Sequence, residues 1–167
     1  AADFLTKPID LAYMMKVVDR VLQCSAMRQK IKEQQRQLEE DLCHAATIQR
    51  CLLPEPLETD CFTLRYRYQP LIHIGGDCLT VYSYNSRRLA VALSDVSGHG
   101  VSAALTASLI HNQIQFRLAE NQPPAQVIDW LNRFILQNIR RANMFITMVL
   151  ALIDLDEGIL TACNAGH

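Results

Sequence analysis

Residues 74–77 read Ile-Gly-Gly-Asp and residues 93–100 read Leu-Ser-Asp-Val-Ser-Gly-His-Gly. Each stretch places one carboxylate, Asp77 or Asp95, beside glycines at the end of an apolar segment. Glycine lets the backbone approach a ligand closely, and folding can bring two such carboxylates together. Their oxygens suit Mg²⁺ or Mn²⁺ better than zinc. The two stretches therefore predict a divalent-metal site, where a metal-held water can attack phosphorus near neutral pH.

Each stretch also has an ordinary structural interpretation. Gly-Gly-Asp is a common turn, and residues 95–100 could form only a tight strand-to-helix turn in which Ser97 caps the helix. Ser97 is not expected to act as a nucleophile, because no base or orienting acid lies at a readable spacing. A general acid would fit at His99, but a structural role is favoured there. Asn164 and His167 are likewise expected to shape a turn near the site.

The hydrophobic pattern around these stretches groups strands apart from helices. Alternating or apolar runs predict strands at 62–68, 79–84, 88–94, 145–153 and 159–163, and 3–4 periodicity predicts helices at 101–118 and from Pro124 onward. The proline pair Pro123-Pro124 favours a helix start, and Gly158 suits a hairpin position with positive φ. The order β-β-β-α-α-β-β indicates an α+β fold with helices on an antiparallel sheet.

The N-terminal third predicts a different architecture. Residues 1–22 read as a strand end, a turn and a helix, and residues 19–53 as one long helix, since no proline or glycine lies between Pro8 and Pro54. A heptad repeat fits this helix. Its a positions are Val21, Arg28, Gln35, Leu42 and Gln49, and its d positions are Cys24, Ile31, Leu38, Ala45 and Leu52. Because the a row is mostly polar, a weak parallel dimeric coiled coil and a monomeric linker helix both remain open.

Composition excludes several functional classes. The chain has 167 residues, of which 50% are hydrophobic and 20% charged, and a net charge of −1. That balance gives no basis for nucleic-acid binding. No apolar run approaches the roughly 20 residues that span a bilayer, and no secretory signal is visible. The six cysteines form no C-x-x-C pair. We therefore expect a cytoplasmic protein with reduced thiols and no membrane partner.

Three stretches together resemble a known family. They are residues 74–77, residues 93–105, which continue as Val-Ser-Ala-Ala-Leu after Gly100, and residues 164–167, which read Asn-Ala-Gly-His. They resemble the metal-dependent serine/threonine phosphatases of the PPM (type 2C) family, and the bacterial SpoIIE/RsbU branch above all. Residues 48–54, Ile-Gln-x-x-Leu-Leu-Pro, resemble the lead-in helix of that branch. The resemblance implies a PPM-type β-sandwich flanked by helices, with residues 54–167 as its N-terminal portion.

The resemblance also implies a two-metal centre that uses Mg²⁺ or Mn²⁺. Asp77 would bind one ion, Asp95 would bridge two, the carbonyl of Val96 would complete part of the site, and Gly76 would belong to the cofactor-binding turn. The implied reaction is hydrolysis of phosphoserine or phosphothreonine on a partner of the anti-sigma-factor antagonist type. A metal-held water is the nucleophile, and no phosphoenzyme forms. Because the family's remaining metal-binding aspartates come later than residue 167, the given piece alone is expected to be an incomplete enzyme.

Residues 3–9, Asp-Phe-Leu-Thr-Lys-Pro-Ile, resemble the end of a response-regulator receiver domain. Lys7 would then contact the phosphoryl group of an upstream aspartate, and a histidine kinase would act upstream. The expected division is a receiver end at 1–22, a helical linker at 23–53 and the phosphatase domain at 54–167, with a homodimer through residues 19–53.

One residue departs from the family pattern. The family pattern is Gly-Gly-Asp-x-Tyr-Asp, with a second acidic residue three positions after the first aspartate. In this chain the first aspartate is Asp77, and the position of the second is occupied by Thr80. This departure motivates an alternative function, a catalytically degenerate phosphatase fold that acts as a sigma-factor-binding adaptor. A third hypothesis, a dimerisation and signalling segment built on the helix at 19–53, is the weakest.

Overall fold

A computed structural model describes Pro8 and residues 10–70, 72–139 and 144–167. The chain divides into two compact units, Ala1–Cys43 and His44–His167. Helix α1, Leu11–Arg50, begins in the first unit and ends in the second. It therefore passes without a break through the division predicted at residue 22, and it ends earlier than the predicted residue 53. The Asp10 carboxylate accepts a hydrogen bond of 2.8 Å from the amide of Ala12 at the start of this helix.

The first unit is a solvated helix. Arg36 forms ion pairs with Glu33 at 2.6 Å and with Glu40 at 2.5 Å. Pairs at these spacings contribute only about 0.2–0.5 kcal/mol each. Ile31 and Leu38, two residues of the predicted d row, are 47% and 59% exposed in the single chain. This part of the helix therefore presents apolar side chains that the first unit itself does not cover.

The second unit is built on antiparallel sheet. Strands β1, Leu57–Glu58, and β2, Thr63–Leu64, form a small pair. Strands β3, Asp77–Ser83, β4, Arg88–Val96, β5, Ile146–Asp154, and β6, Ile159–Ala165, form a four-stranded sheet in that order. Helices α2, Val101–Ala119, and α3, Pro124–Asn138, lie between β4 and β5 in the chain. The predicted α+β class is confirmed. The predicted order β-β-β-α-α-β-β lacks β1, and the strand predicted at 62–68 is wrong outside Thr63–Leu64, because residues 65–70 join no strand.

The core lies between the two helices and one face of the sheet. Small residues of β4, Ala90 and Ala92, are fully buried and let the helices approach the sheet. They pack against apolar residues of both helices and of β5, which are Ile110, Ile114, Leu118, Val127, Leu131, Met148 and Leu150. Trp130, Phe134 and Ile135 of α3 also pack against this cluster. Burying one large apolar side chain contributes about 1.5–3 kcal/mol.

The opposite face of the sheet carries the residues of interest for function. Strand residues alternate between faces, so Asp77 and Leu79 on β3 share a face with Leu93 and Asp95 on β4. Leu93 is 44% exposed. The described residues form two sheets, this four-stranded sheet and the β1–β2 pair.

Local turn signals are also confirmed. Pro123 is the N-cap and Pro124 the first residue of α3, and Gly158 has a φ of 65° in the turn between β5 and β6. None of the helices in the described part of the chain combines the length and apolar character needed to cross a bilayer.

Candidate metal centre

The strand register places Asp77 directly opposite Asp95. Residues that face each other in an antiparallel pair have Cα atoms about 4.5–5.5 Å apart. Both side chains are exposed, and neither carboxylate has a hydrogen bond or ion pair with any residue that the structure describes. Like charges opposite each other are destabilising. A bound divalent cation would offset this repulsion, so the donor set fits Mg²⁺ or Mn²⁺.

Gly76 allows the two strand ends to meet. A Cβ at this position would lie 2.4 Å from the carbonyl oxygen of Val96, which is closer than nonbonded atoms can approach. The Val96 amide donates a hydrogen bond of 3.2 Å to the Gly76 carbonyl. The close approach holds Asp77 beside the end of β4 and brings the Val96 carbonyl to the same place. Gly76 is thus required by backbone packing, and its predicted contact with a cofactor stays a prediction.

The end of α1 also fixes this turn. The Gln49 side chain, 8% exposed, donates a hydrogen bond of 2.7 Å from Nε2 to the Gly75 carbonyl. Its Oε1 accepts bonds from the Gly75 amide at 3.2 Å and the Tyr68 hydroxyl at 3.3 Å. Sequence reasoning missed this contact. The available signal was a polar residue at a heptad a position within the Ile-Gln-x-x-Leu-Leu-Pro stretch.

A cleft of about 430 Å³ is lined by Asp77. Residues 66–69 form one side of it, and Asp77, Leu93 and His167 contribute to the rest. Burial, together with the negative charge of Asp77, raises the pKa of Tyr68. The Tyr68 hydroxyl therefore stays protonated at neutral pH and acts as a hydrogen-bond donor. The cleft is thus lined by one carboxylate, that of Asp77, and by Arg67.

The third predicted stretch reaches the same cleft. The Asn164 side chain closes the turn, since Oδ1 accepts a bond of 2.9 Å from the His167 amide and Nδ2 donates one of 3.1 Å to the His167 carbonyl. The His167 Nδ1 lies 3.1 Å from the hydroxyl of Thr147. Thr147 is opposite Asp95 in the register of β4 and β5. The turn-shaping role expected for Asn164 agrees with these bonds.

Thr80 does not face the candidate metal centre. It is three residues after Asp77 on the same strand, so its side chain points to the opposite, helix-facing side of the sheet. There it is 1% exposed and its hydroxyl lies 2.9 Å from Nδ1 of His111 on α2. A carboxylate at position 80 would lie on the helix side as well. The departure from the family pattern therefore removes no ligand from the face that carries Asp77 and Asp95.

The structure corrects the expected role of Ser97. Gly100, with a φ of 78°, is the N-cap of α2 and no side chain caps this helix. The Ser97 hydroxyl instead accepts a hydrogen bond of 2.9 Å from the Phe145 amide, and the Ser97 amide donates one of 2.9 Å to the Phe145 carbonyl. Ser97 thus joins the turn to the start of β5. His99 is exposed and has no hydrogen bond within the described ranges.

Lys7, which was predicted to contact the phosphoryl group of a receiver domain, lies outside the described residues. Within those residues, no group of three or more His, Cys, Asp or Glu side chains could hold a metal ion. The described part of the site therefore supplies two carboxylates and the adjacent Val96 carbonyl.

Comparisons with known proteins find similar sequences. The family model of Stage II sporulation protein E (SpoIIE) matches residues 85–167. Phosphoserine phosphatase RsbP of Bacillus subtilis (strain 168) is 29% identical over 126 residues, which are 74% of this chain and 31% of RsbP. Phosphoserine phosphatase RsbU of the same organism is 29% identical over 140 residues, 83% of this chain and 41% of RsbU. The chain thus spans less than half of either curated relative.

Solved structures show the same fold. The SiaA-PP2C domain of Pseudomonas aeruginosa aligns with a TM-score of 0.66 at 22% identity, covering 78% of this chain and 55% of that chain. The RsbU and RsbW domains of a Mycobacterium tuberculosis protein align with a TM-score of 0.51 at 27% identity, covering 56% of this chain and 25% of that chain. The chain is thus similar in sequence to SpoIIE-type phosphatases and in fold to a PP2C domain.

The close approach at Gly76 can be tested by adding one methyl group. Gly76→Ala is expected to lower the free energy of unfolding by about 1–3 kcal/mol, because the new atom overpacks against the Val96 carbonyl. Gly75→Ala is the matched control, since its Cβ would meet Pro70 at 3.4 Å, where ordinary contact begins. Urea unfolding of the full-length protein measures both. Equal stability of the two variants would contradict the explanation.

Burial lowers the pKa of His111 below its ordinary 6.5. Below about pH 6.5 the unfolded chain thus binds more protons than the folded protein, and stability falls as the pH drops toward the lowered folded pKa. His111→Gln removes the titrating group and keeps a hydrogen-bonding partner for Thr80. Urea unfolding at about pH 7.5 and about pH 5.5 should show a larger loss in the wild type than in His111→Gln. Equal losses would show that His111 does not set this dependence.

Proposed function

We propose that this chain carries a metal-dependent protein phosphatase that hydrolyses phosphoserine or phosphothreonine on a regulatory partner of the anti-sigma-factor antagonist type. The observation that carries the proposal is the pair Asp77 and Asp95, which lie opposite each other and exposed. Neither carboxylate forms an ion pair with a residue that the structure describes. Two relatives named phosphoserine phosphatases support the same chemistry.

In the proposed enzyme Asp77 and Asp95 hold Mg²⁺ or Mn²⁺, with the Val96 carbonyl as a further ligand. When bound, such ions activate water and neutralise phosphoryl charge. Two ions need more ligands than the two carboxylates described, and we expect the whole protein to supply them.

The cleft contributes its own groups to substrate binding. Arg67 places a permanent positive charge in the cleft that Asp77 also lines, and a guanidinium matches the geometry of a phosphate. Its Nη2 donates a hydrogen bond of 3.0 Å to Gln69, which holds the side chain along this wall. The protonated Tyr68 hydroxyl lies nearby, and Leu93 provides an apolar surface. This arrangement suits a phosphate monoester whose protein part extends out of the cleft.

The adaptor alternative loses the observation that motivated it. Thr80 was its basis, and the structure places this residue on the helix side of the sheet, bonded to His111. An adaptor has no need of opposed carboxylates or of the close approach at Gly76. Hydrolysis therefore accounts for more of the site than sigma-factor binding alone.

The N-terminal unit is proposed to regulate this activity. We assign residues 1–22 to the end of a receiver domain in which Lys7 contacts the phosphoryl group delivered by a histidine kinase. Residues 19–53 are proposed to join two copies. The exposed Ile31 and Leu38 on α1 support this, since a second helix would cover them.

The proposed metal role predicts opposite effects with and without the ion. In the full-length protein, Asp77→Asn and Asp95→Asn are each expected to lower Mn²⁺-dependent phosphate release from a phosphoserine protein by more than about 100-fold. Mn²⁺ at 100 times its Kd should raise the free energy of unfolding of the wild type by about 2.7 kcal/mol and leave both variants unchanged. Without metal, each variant should be at least as stable as the wild type, because the like-charge pair is gone.

Asp129→Asn is the control for these measurements, since Asp129 is an exposed residue of α3 that pairs with Arg133. It should retain both phosphate release and stabilisation by Mn²⁺. Unchanged release in Asp95→Asn would refute the proposed function. Metal binding without any phosphate release would leave the metal site in place and contradict hydrolysis.

The proposed dimer predicts a mass change on substitution of the seam. Light scattering of the full-length protein is expected to give twice the chain mass, and Ile31→Gln combined with Leu38→Gln should shift it toward the monomer. Lys30→Gln, on the same helix but outside the a and d rows, should leave the mass unchanged. A monomeric wild type would contradict the dimer.

A further inference from the structure

A row of polar side chains crosses the sheet beside the cleft. Asp77 faces Asp95 in the register of β3 and β4, and Asp95 faces Thr147 in the register of β4 and β5. The Thr147 hydroxyl lies 3.1 Å from Nδ1 of His167. The row thus runs from the two carboxylates to an imidazole, and His167 lines the same cleft as Asp77.

The His167 imidazole is held in place. Thr147 binds Nδ1, and the Asn164 side chain bonds both the amide and the carbonyl of His167, at 2.9 and 3.1 Å. Within the described ranges Nε2 has no hydrogen-bonding partner. His99 follows Asp95 more closely in the sequence, but its exposed side chain has no hydrogen bond that would orient it in the described structure. A proton donor must be positioned, and His167 meets this condition better.

The other titratable groups near the cleft are poorly suited to give up a proton. Burial and the charge of Asp77 raise the pKa of Tyr68. Burial also raises the pKa of Cys78, whose thiol lies on the helix side near Thr80. The guanidinium of Arg67 stays protonated. Histidine is the side chain that exchanges protons most readily near neutral pH.

We propose that His167 is a catalytic residue that protonates the leaving serine or threonine oxygen, and this role rests on the phosphatase function proposed above. As a water oxygen bonds to phosphorus, the bond between phosphorus and the serine oxygen breaks and its electron pair stays on the serine oxygen. That oxygen takes the proton from Nε2 of the His167 imidazolium. The attacking water releases a proton to solvent, and His167 regains one from solvent. The products are the serine hydroxyl and inorganic phosphate.

Thr147 acts as a positioning residue in this step. Its hydroxyl accepts the Nδ1 hydrogen of the imidazolium and directs Nε2 toward the substrate. Thr147→Ser keeps the hydroxyl and should retain activity, whereas Thr147→Val removes it and should reproduce part of the His167 defect. The register of β4 and β5 places Thr147 opposite Asp95, so its hydroxyl lies beside the site.

The test compares two leaving groups on the full-length Mn²⁺-loaded protein. A serine oxygen needs a proton to leave, whereas p-nitrophenolate is stable as an anion. His167→Gln is expected to lower kcat for a phosphoserine peptide by about 100-fold and kcat for p-nitrophenyl phosphate by less than about 3-fold. His44→Gln, an exposed histidine of α1, is the matched control and should change neither. Equal losses on both substrates, or no loss on either, would overturn the assignment.

Two further measurements distinguish proton donation by His167 from metal binding by His167 and from proton donation by His99. Calorimetric titration of Mn²⁺ should give the same Kd for His167→Gln and the wild type, and weaker binding would identify His167 as a metal ligand instead. His99→Gln should not lower kcat selectively for the phosphoserine peptide. If it does, His99 rather than His167 is the proton donor. A wild type inactive on both substrates would overturn the phosphatase proposal, and the role of His167 with it. Activity on both with no leaving-group selectivity in His167→Gln would overturn this role alone.

Discussion

The close approach between Gly76 and the Val96 carbonyl is the constraint on which the candidate site depends. A side chain at position 76 would begin 2.4 Å from that oxygen, so the strand ends can meet only where glycine stands. This contact places Asp77 opposite Asp95 at a sheet end rather than at separate loops. The two carboxylates thereby share one face of the sheet, where Asp77 lines a cleft. A divalent cation bound between them would offset their mutual repulsion.

The rest of the second unit supports this turn from several sides. Gln49 bonds both backbone groups of Gly75 from the end of α1. Ser97 bonds the backbone of Phe145, so the glycine-rich turn after Asp95 is joined to β5. On the helix side, Thr80 and His111 join β3 to α2. Rigid strands and buried polar contacts thus hold Asp77 and Asp95 in place, which is what a site of fixed geometry requires.

Much of this fold could be predicted from the sequence because its signals are local. Alternating or apolar runs predicted β3, β4 and β5, the proline pair predicted the start of α3, and Gly158 predicted a hairpin turn. Long-range contacts were not readable. Ser97 and Phe145 are 48 residues apart, and the polar heptad position Gln49 bonds a turn 26 residues away. The segment 65–70 alternates like a strand, but alternation does not show whether a partner strand exists. Because side chains alternate between the two faces of a sheet, Thr80 can be placed on the helix side once β3 is known to begin at Asp77.

The central claim is that Asp77 and Asp95 together hold a divalent metal ion. Anomalous X-ray diffraction from crystals of the full-length protein grown with Mn²⁺ tests it most directly, because the signal locates manganese independently of any assumed mechanism. The account predicts an anomalous peak within bonding distance of both carboxylates, about 2.0–2.2 Å from their nearest oxygens, as expected for a small hard cation. Manganese bound only elsewhere, or two ordered carboxylates with no peak between them, would contradict it.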